Sequence, residues 1–325
     1  MPSTESVSIS PLEEESDKSR KEVFKAQIVW RNVILFIILH GLAFYGFYLA
    51  MKCSVVPSFW LGYAYSHLGG WGITAGYHRL WCHRGYKAKL PLRIFLMLFS
   101  CIAGQDDIYV WVRDHRVHHK FTDADPYNIN RGFFFAHMGW LLYKKHPDVI
   151  AKGKSIDMRD VLADPVVRFQ RKYYKLLFLF FIFVLTTWIC MYILGYGFVI
   201  SLCYFSLFSY MAILHSAWTV NSLAHYYGYK PYDAKQKATE NVLVSFLAAG
   251  EGFHNYHHAF PYDYSTSELG YYFNITTLFI DGMALIGQAY DLKRANVSFV
   301  QYKKLTRGDG ENRWYVQEKN SLKQP

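Results

Sequence analysis

Four apolar runs, at residues 32–51, 55–75, 176–194 and 198–218, set the limits on how this chain can fold. Each is close to the roughly 20 residues a helix needs to cross the hydrocarbon core of a bilayer. Lipid offers no water to peptide groups, so such runs cross as helices. A short link containing Lys52 separates the first two, and only Gly195, Tyr196 and Gly197 separate the last two. The runs therefore read as two helical hairpins with small turns on one side of a membrane.

The polar residues fall on the other side. Residues 78–175 carry Arg79, Arg84, Lys87, Arg93, Arg113, Arg116, Lys120, Lys144 and Lys145, with Arg20, Lys21, Lys25 and Arg31 before the first run and Lys293, Arg294, Lys303 and Lys304 after the last. Cytoplasmic loops hold an excess of Lys and Arg, which places both termini and the polar segments in the cytosol and agrees with an even number of spans. This split explains an odd average: 52% hydrophobic and 18% charged residues, yet a mean hydropathy of +0.01 and a net charge of +10. A soluble domain carries about 25% charged residues. The expected fold is an all-α membrane protein, with four transmembrane helices in two hairpins plus a cytosolic helical cap. Residues 1–27 read as a disordered tail without a secretory signal, 28–305 as the membrane domain and 306–325 as a polar tail. The apolar run at 91–104 is too short to span and contains Arg93, so it reads as a helix of the interface or the cap. Five scattered cysteines argue against a disulfide framework. Asn274 and Asn296 match the glycosylation pattern, but cytosolic placement leaves both idle.

The chemistry lies in the histidines. Of fourteen, His78 and His83 occur in HRLWCH, His115, His118 and His119 in HRVHH, and His254, His257 and His258 in HNYHH. Positions i, i+3 and i+4 of a helix share a face, so each HxxHH aims three imidazoles in one direction. Eight imidazoles exceed the four to six ligands of one first-row ion, which implies two ions. An all-nitrogen pair suggests iron and dioxygen chemistry, while spacing alone leaves zinc or copper open. His40, His67, His137, His146 and His215 read as packing or surface residues.

GITAGYHRLWCHRGYKAKLPLR, RDHRVHHKFTDADPYN and GEGFHNYHHAFPYDY together resemble the membrane-bound acyl-CoA desaturases of the stearoyl-CoA desaturase group, over residues 28–305. The late SELG and RGDG segments look most like insect members. The resemblance implies a di-iron centre (two Fe2+) held by nine histidines: the eight above and His225, with Asn221 contacting one ion through water. It also implies removal of two hydrogens from a CH2–CH2 pair of a fatty acyl-CoA, with O2 as co-substrate. Electrons would come from cytochrome b5 and its NADH-dependent reductase, at the endoplasmic reticulum membrane. Asn32, Arg113, Asp114, Lys144, Lys145 and Trp218 match headgroup or acyl contacts; Ser66, Gly70 and Tyr77 match the closed end of a substrate tunnel. The basic surface then serves CoA phosphates and anionic lipid, with no call for nucleic acid.

Three departures from the family pattern bear on CoA affinity and substrate choice: a shortened loop around Thr122 and Asp123, Tyr127 in place of the usual histidine, and Asp106 in place of an asparagine. Double-bond position, Δ9 or Δ11 among others, stays open. Two other readings compete. A histidine-box hydroxylase would use the same ion pair but leave a hydroxyl. A metal transporter would need ligands near the bilayer midplane, whereas these clusters lie outside the spans.

Overall fold

The computed structural model describes residues 26–53, 59–121 and 124–310. Residues 1–25 and 311–325 of the two expected tails, the start of the second apolar run and the loop at Thr122 and Asp123 lie outside the described residues.

The chain is mostly helical. Helix α1 (Trp30–Lys52) is 23 residues long, or about 35 Å at 1.5 Å per residue. Helix α2 (Phe59–Trp71) continues without a break into a wider, π-type stretch, Gly72–Cys82. Strand β1 (Lys87–Ala88) leads to α3 (Leu90–Ala103), which has proline in its first turn, and α4 (Ile108–Lys120) follows at a bend of 81°. Gly104 (φ +59°) and Asp106 (φ +73°) make this corner in the left-handed region, and Asp107 caps α4 by accepting from the Val110 N–H. Short helices α5 (Phe133–His137), α6 (Pro147–Lys154) and α7 (Arg159–Ala163) precede α8 (Pro165–Tyr192) and α9 (Phe198–Tyr226). After these come α10 (Val242–Leu247), α11 (His254–Ala259), α12 (Ile275–Leu285), strand β2 (Ala289–Tyr290) and α13 (Val297–Arg307). The two strands pair antiparallel, Lys87 with Tyr290.

Four spans were expected; by length and composition, α1, α8 and α9 are suited to cross a membrane, and the pair α3–α4 counts as a fourth only if it is one span broken at its 81° bend. The second expected run, 55–75, falls on α2 and its extension. There the whole of Gly72–Cys82, with His78 and Arg79, is buried in protein. The third begins eleven residues earlier than the run at 176–194, because Asp164 caps α8 and its first turns are amphipathic. The fourth continues past residue 218 to Tyr226 and so carries Asn221 and His225. α9 is the central element: 61% of its apolar stretch is buried, against 17% in α1 and 22% in α8. α1 lies so close to α9 that a Cβ on Gly46 would stand 2.3 Å from the Cys203 backbone. The outward side chains of α1 and α8, such as Ile37, Phe44, Leu176 and Val184, are apolar and exposed, as suits a lipid-facing surface.

The folded part also extends beyond the expected boundaries. Lys144 N–H donates to the Gln27 carbonyl, and Asp309 N–H donates to that of Lys230. Asn274 and Asn296 serve as helix caps for α12 and α13; Asn274 is fully buried, a local reason for its sequon to be idle, whereas Asn296 is exposed. All five cysteines are free.

Candidate metal centre

The nine histidines meet in two abutting groups. His78, His83, His115, His119 and His257 form one; His118, His225, His254 and His258 form the other; within each, the nitrogens lie within 4.8 Å of one another. The Nε2 atoms of His83, His115, His119, His257 and His78 follow one another at 3.1, 3.1, 3.0 and 3.0 Å. Those of His118, His258, His254 and His225 follow at 3.2, 3.1 and 2.9 Å. Ligands at right angles about 2.1 Å from an ion stand about 3.0 Å apart, and tetrahedral ones about 3.4 Å. The spacing therefore fits ions with more than four ligands, and five converging nitrogens exceed a tetrahedral zinc site outright. Here the donors fit a metal centre of imidazole ligands.

The partition corrects the expectation that each HxxHH faces one way. His115 and His119 enter the first group and His118 the second; His254 and His258 enter the second and His257 the first. At about 100° per residue, i and i+4 diverge by only about 40°, whereas i+3 and i+4 diverge by about 100°. Each helix therefore serves both groups. The HRLWCH box works differently. Its π-type turn, with His83 N–H donating to the His78 carbonyl at 3.0 Å, brings residues five apart onto one face. α11 enters the site from a tight bend in which Ala249 (φ +56°) and Gly250 (φ +110°) adopt left-handed backbone.

Burial first, and then the neighbouring imidazoles, hold His83, His115, His119, His254, His257 and His258 well below the usual histidine range. Neutral rings offer the lone pairs that a metal needs. Two carboxylates back the rings from outside. Glu251 Oε2 lies 2.7 Å from His78 Nδ1, and its other oxygen accepts from buried Arg79 at 2.8 and 3.1 Å. Burial raises the Glu251 carboxyl, but Arg79 and His78 outweigh it and keep it ionised. Asp125 Oδ1 lies 2.9 Å from His118 Nδ1, close enough for an ion pair though poorly aligned for a hydrogen bond. Neither carboxylate was assigned a role from sequence, although each stands within or beside a quoted box.

The expected acyl-CoA contacts gather around residues 138–145. Asn32 Nδ2 donates to the Leu141 carbonyl at 2.7 Å. Arg113 donates to Asp114 Oδ1 at 2.8 and 2.9 Å, and Lys145 pairs with the other oxygen of Asp114. Lys144 and Lys145 line a cleft of about 300 Å³ with Arg131, Asn128 and His146. Trp218 is buried beside Phe36, His137 and His215, and packs with Met138, Trp140 and Leu141. Asn221 is half-buried, one turn before His225. Tyr127 is buried between His118 and Trp140, its ring 5.8 and 4.7 Å from theirs. Asp106 is exposed, and its carbonyl accepts from the Tyr77 hydroxyl.

The expected tunnel-end residues lie apart, on α2 and its extension. A Cβ on Gly70 would meet open space, and Ser66 Oγ donates to the Gly62 carbonyl. Gly62 lines a small apolar cavity of about 60 Å³ with Tyr65, Ile189, Cys190 and Phe205. Tyr77 is wholly buried and accepts from Gln170 Nε2 at 2.6 Å.

A second histidine assembly had no sequence signal. His40 Nε2 lies 3.1 Å from His215 Nε2, His215 Nδ1 lies 3.0 Å from His137 Nε2, and His137 Nδ1 lies 2.9 Å from Ser222 Oγ. These residues come from three separate stretches, so no spacing announces them.

A fold of membrane-length helices around two imidazole clusters defines a membrane metalloprotein. Residues 54–275 match the family model described as fatty acid desaturase, and the chain belongs to that family. It is 52% identical over 288 residues to stearoyl-CoA desaturase 2 of Mus musculus, covering 88% of this chain and 80% of that one. It is 52% identical over 274 residues to the stearoyl-CoA desaturase of Capra hircus, at 84% and 76% coverage. Stearoyl-CoA desaturase 5 of Bos taurus is 51% identical over 288 residues, at 88% and 86%.

Proposed function

We propose that this protein is an acyl-CoA desaturase that introduces one cis- or trans-double bond into a saturated acyl chain, with Δ9 the leading position and Δ11 the insect-type alternative. The observation that carries the reading is the convergence of nine Nε2 atoms into two groups in a chain of the desaturase family. The proposed ligands are His78, His83, His115, His119 and His257 for one Fe2+, and His118, His225, His254 and His258, with Asn221 through water, for the other. Bound iron would supply the oxidising power needed against an unactivated CH2–CH2 pair. Overall, the two hydrogens lost by the acyl chain join O2, two electrons and two protons to give two waters; cytochrome b5 and its reductase would provide the electrons.

The chain's own residues then divide the work by substrate polarity. Arg113, Lys144 and Lys145, with Asn32, would receive the CoA phosphates and pantetheine at the 138–145 segment. Trp218 would pack on the acyl chain, and Ser66, Gly70 and Tyr77 would bound its far end. The Tyr77 hydroxyl is occupied by Asp106 and Gln170, which keeps its ring fixed as a wall. In this reading α2, continued to about residue 75, is the remaining span, the histidines face the cytosol with both termini, and the membrane is that of the endoplasmic reticulum.

The test is expression in a desaturase-deficient yeast with double bonds mapped in the lipids. An alkene supports the reading; a hydroxylated acid, or saturated lipid alone, overturns it. Bulky and alanine-sized replacements at Ser66 should shift the preferred chain length, and unchanged products would remove Ser66 from the tunnel.

A further inference from the structure

Among the described residues, carboxylates stand at Nδ1 of two of the nine histidines, and they divide one to each group: His78 with Glu251 at 2.7 Å, and His118 with Asp125 at 2.9 Å. The Nδ1 atoms of His254 and His257 are buried with no hydrogen-bond partner among the described residues, and that of His118 has Asp125 at ion-pair distance without an aligned hydrogen bond. A neutral imidazole carries its proton on either nitrogen, and the wrong choice removes the Nε2 lone pair that a metal requires. A carboxylate at Nδ1 settles the choice, because it can only accept.

We propose that Glu251 and Asp125 are positioning residues that each prepare one half of the centre: Glu251 the five-nitrogen half through His78, and Asp125 the four-nitrogen half through His118. They differ in charge balance. Glu251 shares its charge with Arg79, which is 1% exposed and also donates to the Tyr264 and Ser265 carbonyls, Thr277 and Asn274. Asp125 pairs with no lysine or arginine among the described residues. Its remaining bond is from the Tyr127 N–H, at 2.9 Å to the same Oδ1 that faces His118. Each carboxylate is thus fixed by its own surroundings, and the two do not share a partner.

The inference rests on the metal reading above, and one experiment separates their failures. The full chain in detergent is loaded with 57Fe2+, and iron per chain against a competing chelator is measured beside the Mössbauer spectrum. Wild type should hold two irons in two distinguishable environments; a wild type that binds no iron pair overturns the metal reading itself. Asp125→Ala should weaken one iron site by about 10–100-fold and alter one spectral component. Asp125→Glu should restore much of both. Glu251→Gln should leave that component alone and alter the other. Because Glu251→Gln strands buried Arg79, it could fail to fold, and the Asp125 variants then decide alone. Unchanged iron retention and spectra in Asp125→Ala, or equal disturbance of both components, would overturn the inference.

Discussion

Twelve of the fourteen histidines approach another histidine through ring nitrogens, but the nine and the three do so in opposite ways. In the nine, Nε2 faces Nε2 throughout, and His115, His119 and His257 each have two such neighbours. One nitrogen carries either one hydrogen or one lone pair, so these contacts cannot all be hydrogen bonds. In the three, the links alternate. His40 Nδ1 must donate to the Phe36 carbonyl, 2.6 Å away, which leaves its Nε2 to accept. His215 then donates from Nε2 and accepts at Nδ1, His137 donates from Nε2, and Ser222 can donate to His137 Nδ1. The row is complete and neutral without any ligand. Convergence calls for a metal; alternation does not.

Removing one converging ring should break this contrast most visibly. His257→Ala or His118→Ala should cost an ion and lower desaturation by more than about 100-fold, beyond the usual loss from an outer partner. Unsaturated lipid in the yeast host and iron per chain are the readouts; surviving activity would sink the ligand assignment. Stripping metal with a chelator comes next. A ligand present at about 100 times its Kd contributes about 2.7 kcal/mol, so thermal unfolding of the stripped protein should fall by several degrees. Redox-inert zinc should recover part of that stability without recovering activity.

A smaller effect follows from protonation. Because burial and mutual repulsion depress the six histidine pKa values named above, the unfolded chain takes up protons that the folded one refuses. Stability from this source is full above about pH 6.5 and declines as pH falls below it. Unfolding scans of metal-free protein from pH 8 to 5 should slope downward toward acid, and a flat profile would contradict the neutral state of the cluster.

The same contrast explains what could be read from sequence. Eight of the nine converging histidines were legible, six because a helix turns spacing into direction and His78 and His83 as a further pair, and the apolar runs were legible because lipid leaves a backbone few alternatives. The 5:4 division needed the angle between adjacent residues His118 and His119, and the His78–His83 pair needed a π-type turn that spacing five does not announce. His225 stands alone in its stretch and entered only through the family resemblance. The helix start at Pro165 was missed because its first turns, with Arg168, Arg171 and Lys172, lie outside an apolar window although Asp164-Pro165 is a helix-start signal. His40, His137 and His215 are far apart in the chain, and only packing joins them.

That half-buried row should be the quieter assembly when cut. His215→Leu strands both His40 Nε2 and the His137 Nε2–H, and an unsatisfied group costs at most the roughly 1–3 kcal/mol of a fully buried one. Unfolding should come several degrees earlier, with iron content unchanged. Ser222→Ala should do less, about 1 kcal/mol, or a few degrees at most. Its hydroxyl can turn to the Trp218 carbonyl, also 2.9 Å away, so the His137 contact is one of two options for a single hydrogen. More decisively, the direction of the row is set from the other end, where a carbonyl can only accept. Losing the serine leaves one lone pair unanswered and every N–H···N link in place. If Ser222→Ala instead emptied the iron sites, the row would belong to the metal centre after all, and the division drawn between the two assemblies would fall.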